Sequence, residues 1–284
     1  RKHCLSILGS CICFSTQTYP ELAYAVSKLA SVASNPGPDH KKEIETYLVG
    51  YLAHTVEDHC IKFSRESVYT GERVNDPALH SDGRIKDSAN VGHFGLELFV
   101  DANFVDDARD DSIDVKHKDM RSRGGTCIKG VGGPLLVSSK KHTLKLSSEK
   151  QAKKHVSCSD NDCIELDMLA LHTQESEHIQ MSSGIKDIKG IVNLFIELGF
   201  GTKGVKIPMF EDNSACARLA TDQINRSNGK HIHLYYSHIQ MAIRSGLFEV
   251  YLIKDPEQVA DILTKALSEK KFTYHSTYMR GVVI

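Results

Sequence analysis

The sequence predicts an α/β fold, in which a mixed five-stranded sheet is flanked by helices and preceded by a small helical segment. After residue 95, stretches of strand and helix character follow in the order three strands, helix, strand, helix, helix, strand, helix, which suits a sheet covered by helices. The chain has 284 residues, 40% of them hydrophobic and 25% charged, so it can bury a globular core in one large domain or two small ones.

Residues 1–63 are predicted to form the small helical segment. Thr18 and Glu21 have the spacing of a capping box, and apolar residues at helical spacing predict a helix over 20–33. A second helix is expected over 39–53, where apolar residues again recur on one side.

The sheet is predicted to lie in residues 96–284, after a linker over 64–95 that is rich in Ser, Gly, Asp and Asn. Alternating or apolar runs predict strands over 96–101, 126–131, 135–139, 205–210 and 247–253. Helices are predicted over 177–198, directly after Asn213, over 231–244, and after Asp255-Pro256, with Asp255 as the cap.

Net charge and cysteine spacing predict where the protein is located and what it can bind. The formal net charge is −1, so any binding to nucleic acid must depend on local basic residues. Eight cysteines lack the spacing of a disulfide framework and no long apolar span is present, which predicts an intracellular, reducing location and no membrane partner. One His/Cys cluster matches no standard zinc spacing; it consists of His155, Cys158, Cys163 and His172.

A series of motifs resembles one family over nearly the whole chain. They are Gly9-Ser10, the runs 15–29 and 34–40, Phe99-Val100-Asp101-Ala102, the runs 121–125 and 133–141, Asp212-Asn213-Ser214-Ala215, Lys230-His231-Ile232 and the run 258–267. These residues resemble the carboxy-terminal part of the Pol polyprotein of copia-type LTR retrotransposons, namely the end of the reverse transcriptase followed by ribonuclease H. The last run, from Gln258 to Leu267, is close to diagnostic.

The resemblance implies a division of the chain and a biological setting. Residues 1–63 would be the end of the reverse transcriptase, and residues 96–284 a ribonuclease H-like domain. The run 104–107 is similar to a polymerase active-site hairpin, but it follows the markers that come after the polymerase palm, so no polymerase activity is expected. The implied partners are an RNA–DNA hybrid and the rest of the Pol polyprotein, including the reverse transcriptase palm and integrase. The implied location is a cytoplasmic virus-like particle or the nucleus.

The resemblance also implies a site of four carboxylates, Asp101, Glu177, Asp212 and Asp261, as catalytic and metal-binding residues. They would hold two Mg²⁺ ions, or Mn²⁺, because carboxylate oxygens suit these cations. The implied reaction is hydrolysis of the RNA strand of an RNA–DNA hybrid during reverse transcription.

Basic residues near these motifs are candidates for contacts to the substrate. Lys140, Lys141 and Lys230 are expected to contact the nucleic-acid backbone. His231, at the start of a predicted helix, is a possible proton shuttle.

The second carboxylate depends on how the chain is aligned with the family. A gapless match after Ser148 would place Ala152 at the position of the glutamate. The run 174–186 fits the expected helix start better, so Glu177 is chosen, with an insertion over about 149–173. Glu165 is the competing candidate.

A second functional hypothesis is a decayed or repurposed retroelement fragment that folds and binds nucleic acid without catalysis. Asn103-Phe104 stands where the family usually has Asp-Trp, tryptophan is absent from the chain, and the insertion lies beside the site. Retention of all four carboxylates favours the enzyme.

Overall fold

A computed structural model describes most of the chain. The described residues are 2–64, 95–104, 121–142, 173–199, 206–221 and 230–282, with the side chains of 230–233 left out. The expected linker and insertion fall outside these ranges except at their ends. The candidate zinc cluster and Glu165 also lie outside the described residues.

The centre of the molecule is a five-stranded sheet. Its strands are β1 (Glu97–Asn103), β2 (Arg123–Gly130), β3 (Gly133–Lys141), β4 (Ile207–Glu211) and β5 (Phe248–Leu252). They lie in the order β3-β2-β1-β4-β5; β1, β2 and β3 pair antiparallel, and β1, β4 and β5 pair parallel. This mixed sheet confirms the predicted fold class. Because β1, β4 and β5 run in one direction, their carboxyl ends meet at the same edge.

The β2–β3 hairpin is longer than the sequence predicts. Both residues of its turn, Val131 and Gly132, have positive φ, as a tight two-residue hairpin requires. The first residues of β2 include Gly124 and Gly125, which weaken the sequence signal for a strand. Glycine is needed there because a Cβ at Gly125 would lie 2.8 Å from the Cβ of Leu263.

Three helices cover one face of the sheet: α5 (Thr173–Glu197), α6 (Ser214–Thr221) and α7 (Lys230–Arg244). The core residues of α5 recur every three or four positions, at Met181, Ile185, Ile188 and Val192, and they share one buried cluster with Leu98 and Val100 of β1. Gly184 permits this close packing, because a Cβ there would lie 2.8 Å from Cγ1 of Val100. The described helices include none that is long and apolar enough to cross a membrane.

The opposite face differs from the sequence prediction. The predicted last helix is wrong: 3₁₀ turns at Asp255–Glu257 and Val259–Leu263 are followed by a separate helix, α8 (Glu269–Met279). Asp255 makes no capping hydrogen bond; the cap position is Lys254. The helix is interrupted at Gln258, which is extended and whose side-chain amide donates to Val100 O at 2.9 Å and Phe210 O at 3.5 Å.

The amino-terminal segment has its own buried cluster, which includes Leu8, Val26 and Ile44. Its elements are α1 (Lys2–Gln17), a 3₁₀ turn (Pro20–Leu22), α2 (Ala23–Ser31), α3 (Pro38–Lys42), a π-helical stretch (Glu43–Leu48) and α4 (Val49–Thr55). The predicted capping box is wrong, since Tyr19 occupies the cap position without a side-chain hydrogen bond.

Glu21 has a different role in this segment. It is 2% exposed, and its Oε1 accepts a hydrogen bond from Tyr51 Oη at 3.0 Å and lies 2.9 Å from His59 Nε2. The ring of His59 stacks on Tyr19 with centroids 3.7 Å apart. Glu21 therefore ties the end of the segment back to its first helices.

Candidate metal centre

Three of the four predicted carboxylates converge at the carboxyl edge of the sheet. Asp101 lies in β1, Asp212 directly follows β4, and Asp261 lies in the 3₁₀ turn after β5. One oxygen from each lies within 4.8 Å of the other two. Because β1 and β4 are parallel neighbours, Asp101 and Asp212 reach the same edge, and the 3₁₀ turn brings in Asp261.

Glu177 lies beside this group, but it is not one of the carboxylates whose oxygens all lie within 4.8 Å of one another. It is in the first turns of α5, is 4% exposed, and accepts a hydrogen bond from the backbone N–H of Ala102. Its negative charge interacts with Asp101 and Asp212. The Oε2 atom is buried without a hydrogen-bond partner. The structure thus places Glu177 at the rim of the cluster formed by the three aspartates.

Burial and neighbouring negative charge raise the pKa of three of these carboxyl groups, Asp212, Asp261 and Glu177. Burial, followed by the charge of Asp101, raises the pKa of Asp212 to about 6. The same two causes raise the pKa of Asp261 to about 8, although Lys265 opposes them. Burial and neighbouring carboxylates also raise the pKa of Glu177 well above its ordinary value. Without a cation, the cluster is therefore electrostatically unfavourable in its ionised form.

The donor set fits a hard divalent cation. Asp261 Oδ2 and Glu177 Oε2 are buried acceptors without hydrogen-bond partners, and oxygens from three carboxylates surround one point. Such unused carboxylate oxygens are the ligands that Mg²⁺ and Mn²⁺ prefer. These residues could hold a divalent metal ion.

Lys265 supplies positive charge to the same cluster. Its Nζ lies 2.8 Å from Asp261 Oδ1, and Asp261 is fully buried while the lysine side chain is 36% exposed. Burial alone would lower the pKa of Lys265, but the charges of Asp101 and Asp261 outweigh it and raise the pKa. Lys265 therefore remains charged and partly offsets the repulsion among the aspartates.

Two hydrogen bonds link the end of β1 to Thr264, one through Asp101 and one through Asn103. Thr264 Oγ1 donates to Asp101 Oδ2, and Asn103 Nδ2 donates to Thr264 O at 3.3 Å. Asn103 is one of the departures from the family pattern. Its amide joins the end of β1 to the turn that carries Asp261, so this departure is accommodated in the structure.

Glu211 is a fifth carboxylate that sequence reasoning missed. It is fully buried, and its Oε1 accepts a hydrogen bond from Asn213 N at 3.1 Å, which fixes the turn that carries Asp212. Burial and the charge of Asp212 raise its pKa well above the ordinary value. The available signal was a glutamate at the end of an otherwise apolar strand, directly before Asp212-Asn213.

The predicted basic residues are only partly described. Lys140 is exposed and Lys141 half-buried at the end of β3, where Lys140 is level with Gly124 of β2 and, through it, with Ala102 of β1. They therefore lie at the same edge of the sheet as the aspartates. Lys230 and His231 are in the first turn of α7, but their side chains lie outside the described residues.

Comparison with known proteins gives relatives among transposon proteins. The chain is 26% identical over 255 residues to the retrovirus-related Pol polyprotein from transposon RE2 of Arabidopsis thaliana, which is 90% of this chain and 13% of that protein. It is 29% identical over 98 residues to the corresponding RE1 polyprotein, which is 34% of this chain and 7% of that protein. The chain thus spans about an eighth of the length of the first relative.

A solved structure and family models were also compared. One solved structure is the N-terminal RNase H domain of a Mycobacterium tuberculosis protein, a fusion with maltose-binding protein. The match covers 64% of this chain and 96% of the solved chain, with 10% identity and a TM-score of 0.35. No protein-family model matches the chain. The similarity to the polyproteins over nine-tenths of the chain confirms the resemblance found in the motifs. This chain is related to the retrovirus-related Pol polyproteins of transposons.

Proposed function

We propose that this chain is the ribonuclease H part of a transposon Pol polyprotein and hydrolyses the RNA strand of an RNA–DNA hybrid. The convergence of Asp101, Asp212 and Asp261 at the carboxyl edge of a mixed sheet is the observation that carries the proposal. The relation to Pol polyproteins supports a role in reverse transcription, with the reverse transcriptase palm and integrase as partners in a longer product.

In this proposal, Asp101, Glu177, Asp212 and Asp261 would hold two Mg²⁺ ions. When bound, such ions lower the pKa of a water molecule and offset charge on the leaving oxygen.

The chain's own residues prepare the site for this reaction. The hydroxyl of Thr264 donates a hydrogen bond to Oδ2 of Asp101 and so orients this carboxylate. Lys265 keeps Asp261 in the cluster, and Glu211 fixes the backbone that presents Asp212. Preorganised charges of this kind need no rearrangement at the moment of reaction.

Selection of the hybrid would depend on the shape of its backbone. Proteins distinguish RNA-containing duplexes by 2′-hydroxyl and phosphate contacts rather than by base edges. Lys140, Lys141 and Lys230 are proposed to contact phosphates, and His231 to move a proton at the site.

A cleavage assay tests the proposed function. With Mg²⁺, the chain is expected to cut the RNA strand of a hybrid and to leave duplex DNA intact. Asp212→Asn is the matched control, because it removes one carboxylate and keeps the side-chain size. Hybrid cleavage no greater than that of Asp212→Asn would leave the alternative function, a decayed or repurposed fragment that binds nucleic acid.

Metal affinity is expected to increase with pH. The pKa values of Asp212 and Asp261 are raised to about 6 and about 8, so below these pH values each carboxyl group carries a proton that a cation must displace. Affinity for Mn²⁺ should therefore rise between pH 6 and 8 and level off above that window.

Calorimetric titration in two buffers with different ionisation enthalpies measures both the affinity and the protons released. Asp261→Asn should lower the proton release at pH 7, because the group with the higher pKa is then absent. An Mn²⁺ affinity that is independent of pH would contradict the proposed protonation of the cluster.

A further inference from the structure

Lys265 contacts one of the aspartates of the metal centre. Its Nζ lies 2.8 Å from Asp261 Oδ1; the lysine side chain is 36% exposed, whereas that of Asp261 is fully buried. The backbone N–H of Lys265 also donates to Asp261 O at 3.1 Å. Both the backbone and the ammonium group of Lys265 are therefore in contact with the residue that the 3₁₀ turn brings into the cluster.

The ammonium group interacts with the whole cluster and not with Asp261 alone. Burial would lower the pKa of Lys265, but the charges of Asp101, Asp261 and Asp212 outweigh it and raise the pKa. These are the three aspartates whose oxygens lie within 4.8 Å of one another. Carboxylates from three separate elements thus attract the same positive charge, as they would attract a metal ion.

A second lysine–aspartate pair in the chain lies in a different environment. Lys271 Nζ lies 3.1 Å from Asp255 Oδ2, and the two side chains are 41% and 61% exposed. Solvent screens a pair of this kind, which contributes little to stability. Asp261, in contrast, is withdrawn from solvent, and its Oδ2 is buried without a hydrogen-bond partner. Asp261 therefore depends on nearby positive charge far more than Asp255 does.

The charge of Lys265 opposes the binding of a divalent ion to these carboxylates. The three aspartates carry three negative charges when ionised, and Lys265 offsets one of them. An ion that binds while Lys265 stays in place lies close to a like charge, where Coulomb repulsion is strong. Lysine can also move away, because its ammonium group is strongly hydrated and sits on a flexible stem. Binding of the ion thus costs either this repulsion or the loss of the Lys265–Asp261 contact.

We propose that Lys265 is an internal cation of the metal centre, which holds Asp261 in the metal-free chain and is displaced from it when a divalent ion binds. This inference rests on the proposed function, because it assumes that the aspartates bind a metal ion. It adds the residue that sets the ion concentration at which the site fills. Lys265 and the ion stabilise the same cluster in turn, so the aspartates stay together whether or not metal is bound.

Calorimetric titration with Mg²⁺ tests the competition without any nucleic acid. The titration is made at about pH 9, above the pKa of about 8 of Asp261, so that protons compete little with the ion. Lys265→Met keeps a long side chain without its charge. It should bind Mg²⁺ about 10-fold more tightly than the unaltered chain, because a like charge close to the ion is removed. Lys265→Arg keeps the charge and should not bind more tightly.

Lys271→Met is the matched control, since it removes one positive charge from a lysine–aspartate pair outside the cluster. Its Mg²⁺ affinity should equal that of the unaltered chain. Equal affinities of Lys265→Met and Lys271→Met would overturn the competition. Weaker binding by Lys265→Met would also contradict it, and would make the lysine a residue that supports the ion.

Urea unfolding with and without Mg²⁺ separates competition from a purely structural ion pair. Without metal, Lys265→Met should unfold at a lower urea concentration than the unaltered chain, because Asp261 loses its counter-charge. Saturating Mg²⁺ should remove this difference, since the ion takes the place of the ammonium group. If the variant does not fold without metal, Mg²⁺ should restore its folding. A difference that is the same with and without Mg²⁺ would show that the metal does not displace Lys265, contrary to the proposal.

The two proposals fail in different ways. If Lys265→Met binds Mg²⁺ more tightly but the unaltered chain never cuts the hybrid, the nuclease function is wrong and the role of Lys265 stands. If the unaltered chain cuts the hybrid and Lys265→Met binds Mg²⁺ no more tightly, only the role of Lys265 is wrong. Failure of both chains to bind Mg²⁺ would overturn the metal centre and the role of Lys265 together.

Discussion

Asparagine in place of Asp101 is expected to abolish metal-dependent cleavage and to increase the stability of the metal-free protein. The charge of Asp101 contributes to the raised pKa of Asp212, Asp261 and Glu177, so its removal relieves repulsion at all three. The free energy of unfolding should rise on the order of 1 kcal/mol at neutral pH, the equivalent of about one pKa unit. Cleavage should fall by more than about 100-fold, since even residues that only orient metal ligands contribute 10–100-fold.

Three measurements on Asp101→Asn separate these effects: urea unfolding without metal, calorimetric titration with Mn²⁺, and cleavage of the hybrid. Asp58→Asn, an exposed change in the amino-terminal segment, serves as the control for the loss of one charge. A variant with lower stability and unchanged Mn²⁺ affinity would show that Asp101 is a structural residue, contrary to the proposal.

Removal of residues 1–63 is expected to destabilise the sheet strongly. Arg123 of β2 is fully buried, and its Nη1 donates to Ser27 Oγ of α2 at 2.7 Å while its guanidinium lies 5.3 Å from the ring centre of Tyr24. Without α2, the Arg123 guanidinium loses its contacts with Ser27 and Tyr24. The apolar cluster that contains Phe99 also loses the contact with Ala23. Breaking the contacts of a buried charge costs about 3–5 kcal/mol, a large part of the stability of a domain.

A smaller change keeps this prediction testable if the shortened chain fails to fold. Ser27→Ala should lower the free energy of unfolding by about 1–3 kcal/mol, because it removes an acceptor from a buried guanidinium. Ser31→Ala, at an exposed position of the same helix, should have little effect. If both variants and the shortened chain unfold at the same urea concentration as the full chain, the segment is an independent unit.

The strands of the sheet could be predicted because the apolar or alternating pattern that indicates each strand lies within that strand. Apolar and alternating runs marked every strand, and errors were confined to ends such as Gly124-Gly125, where close packing selects glycine. Helix α1 was missed because its buried residues at helical spacing include Cys4, Cys11 and Ser15, which carry a weak apolar signal. The last predicted helix was wrong because Gln258 bonds to backbone oxygens of two distant strands, which no local pattern reveals.

Part of the candidate site could likewise be predicted from local motifs, and part of it depends on contacts between distant segments. Motifs led to Asp101, Asp212 and Asp261, and the structure brings these three together. Glu177 was chosen from the run around it, and its place at the rim of the cluster depends on the Ala102 hydrogen bond between two distant parts of the chain. Buried Glu211 had no motif of its own.

Gln258 has a consequence for how this molecule could change over time. Its amide contacts Val100 and Phe210 in two strands, and its Oε1 accepts from Ala260 N at 3.3 Å. One neutral side chain thus links the backbone next to Asp101, near Asp212 and next to Asp261. At this point the scaffold is held by a neutral side chain and not by the charges of the site. Mutations could silence the chemistry of such an element and leave its architecture intact, so loss of activity and loss of folding would be separate events in its history.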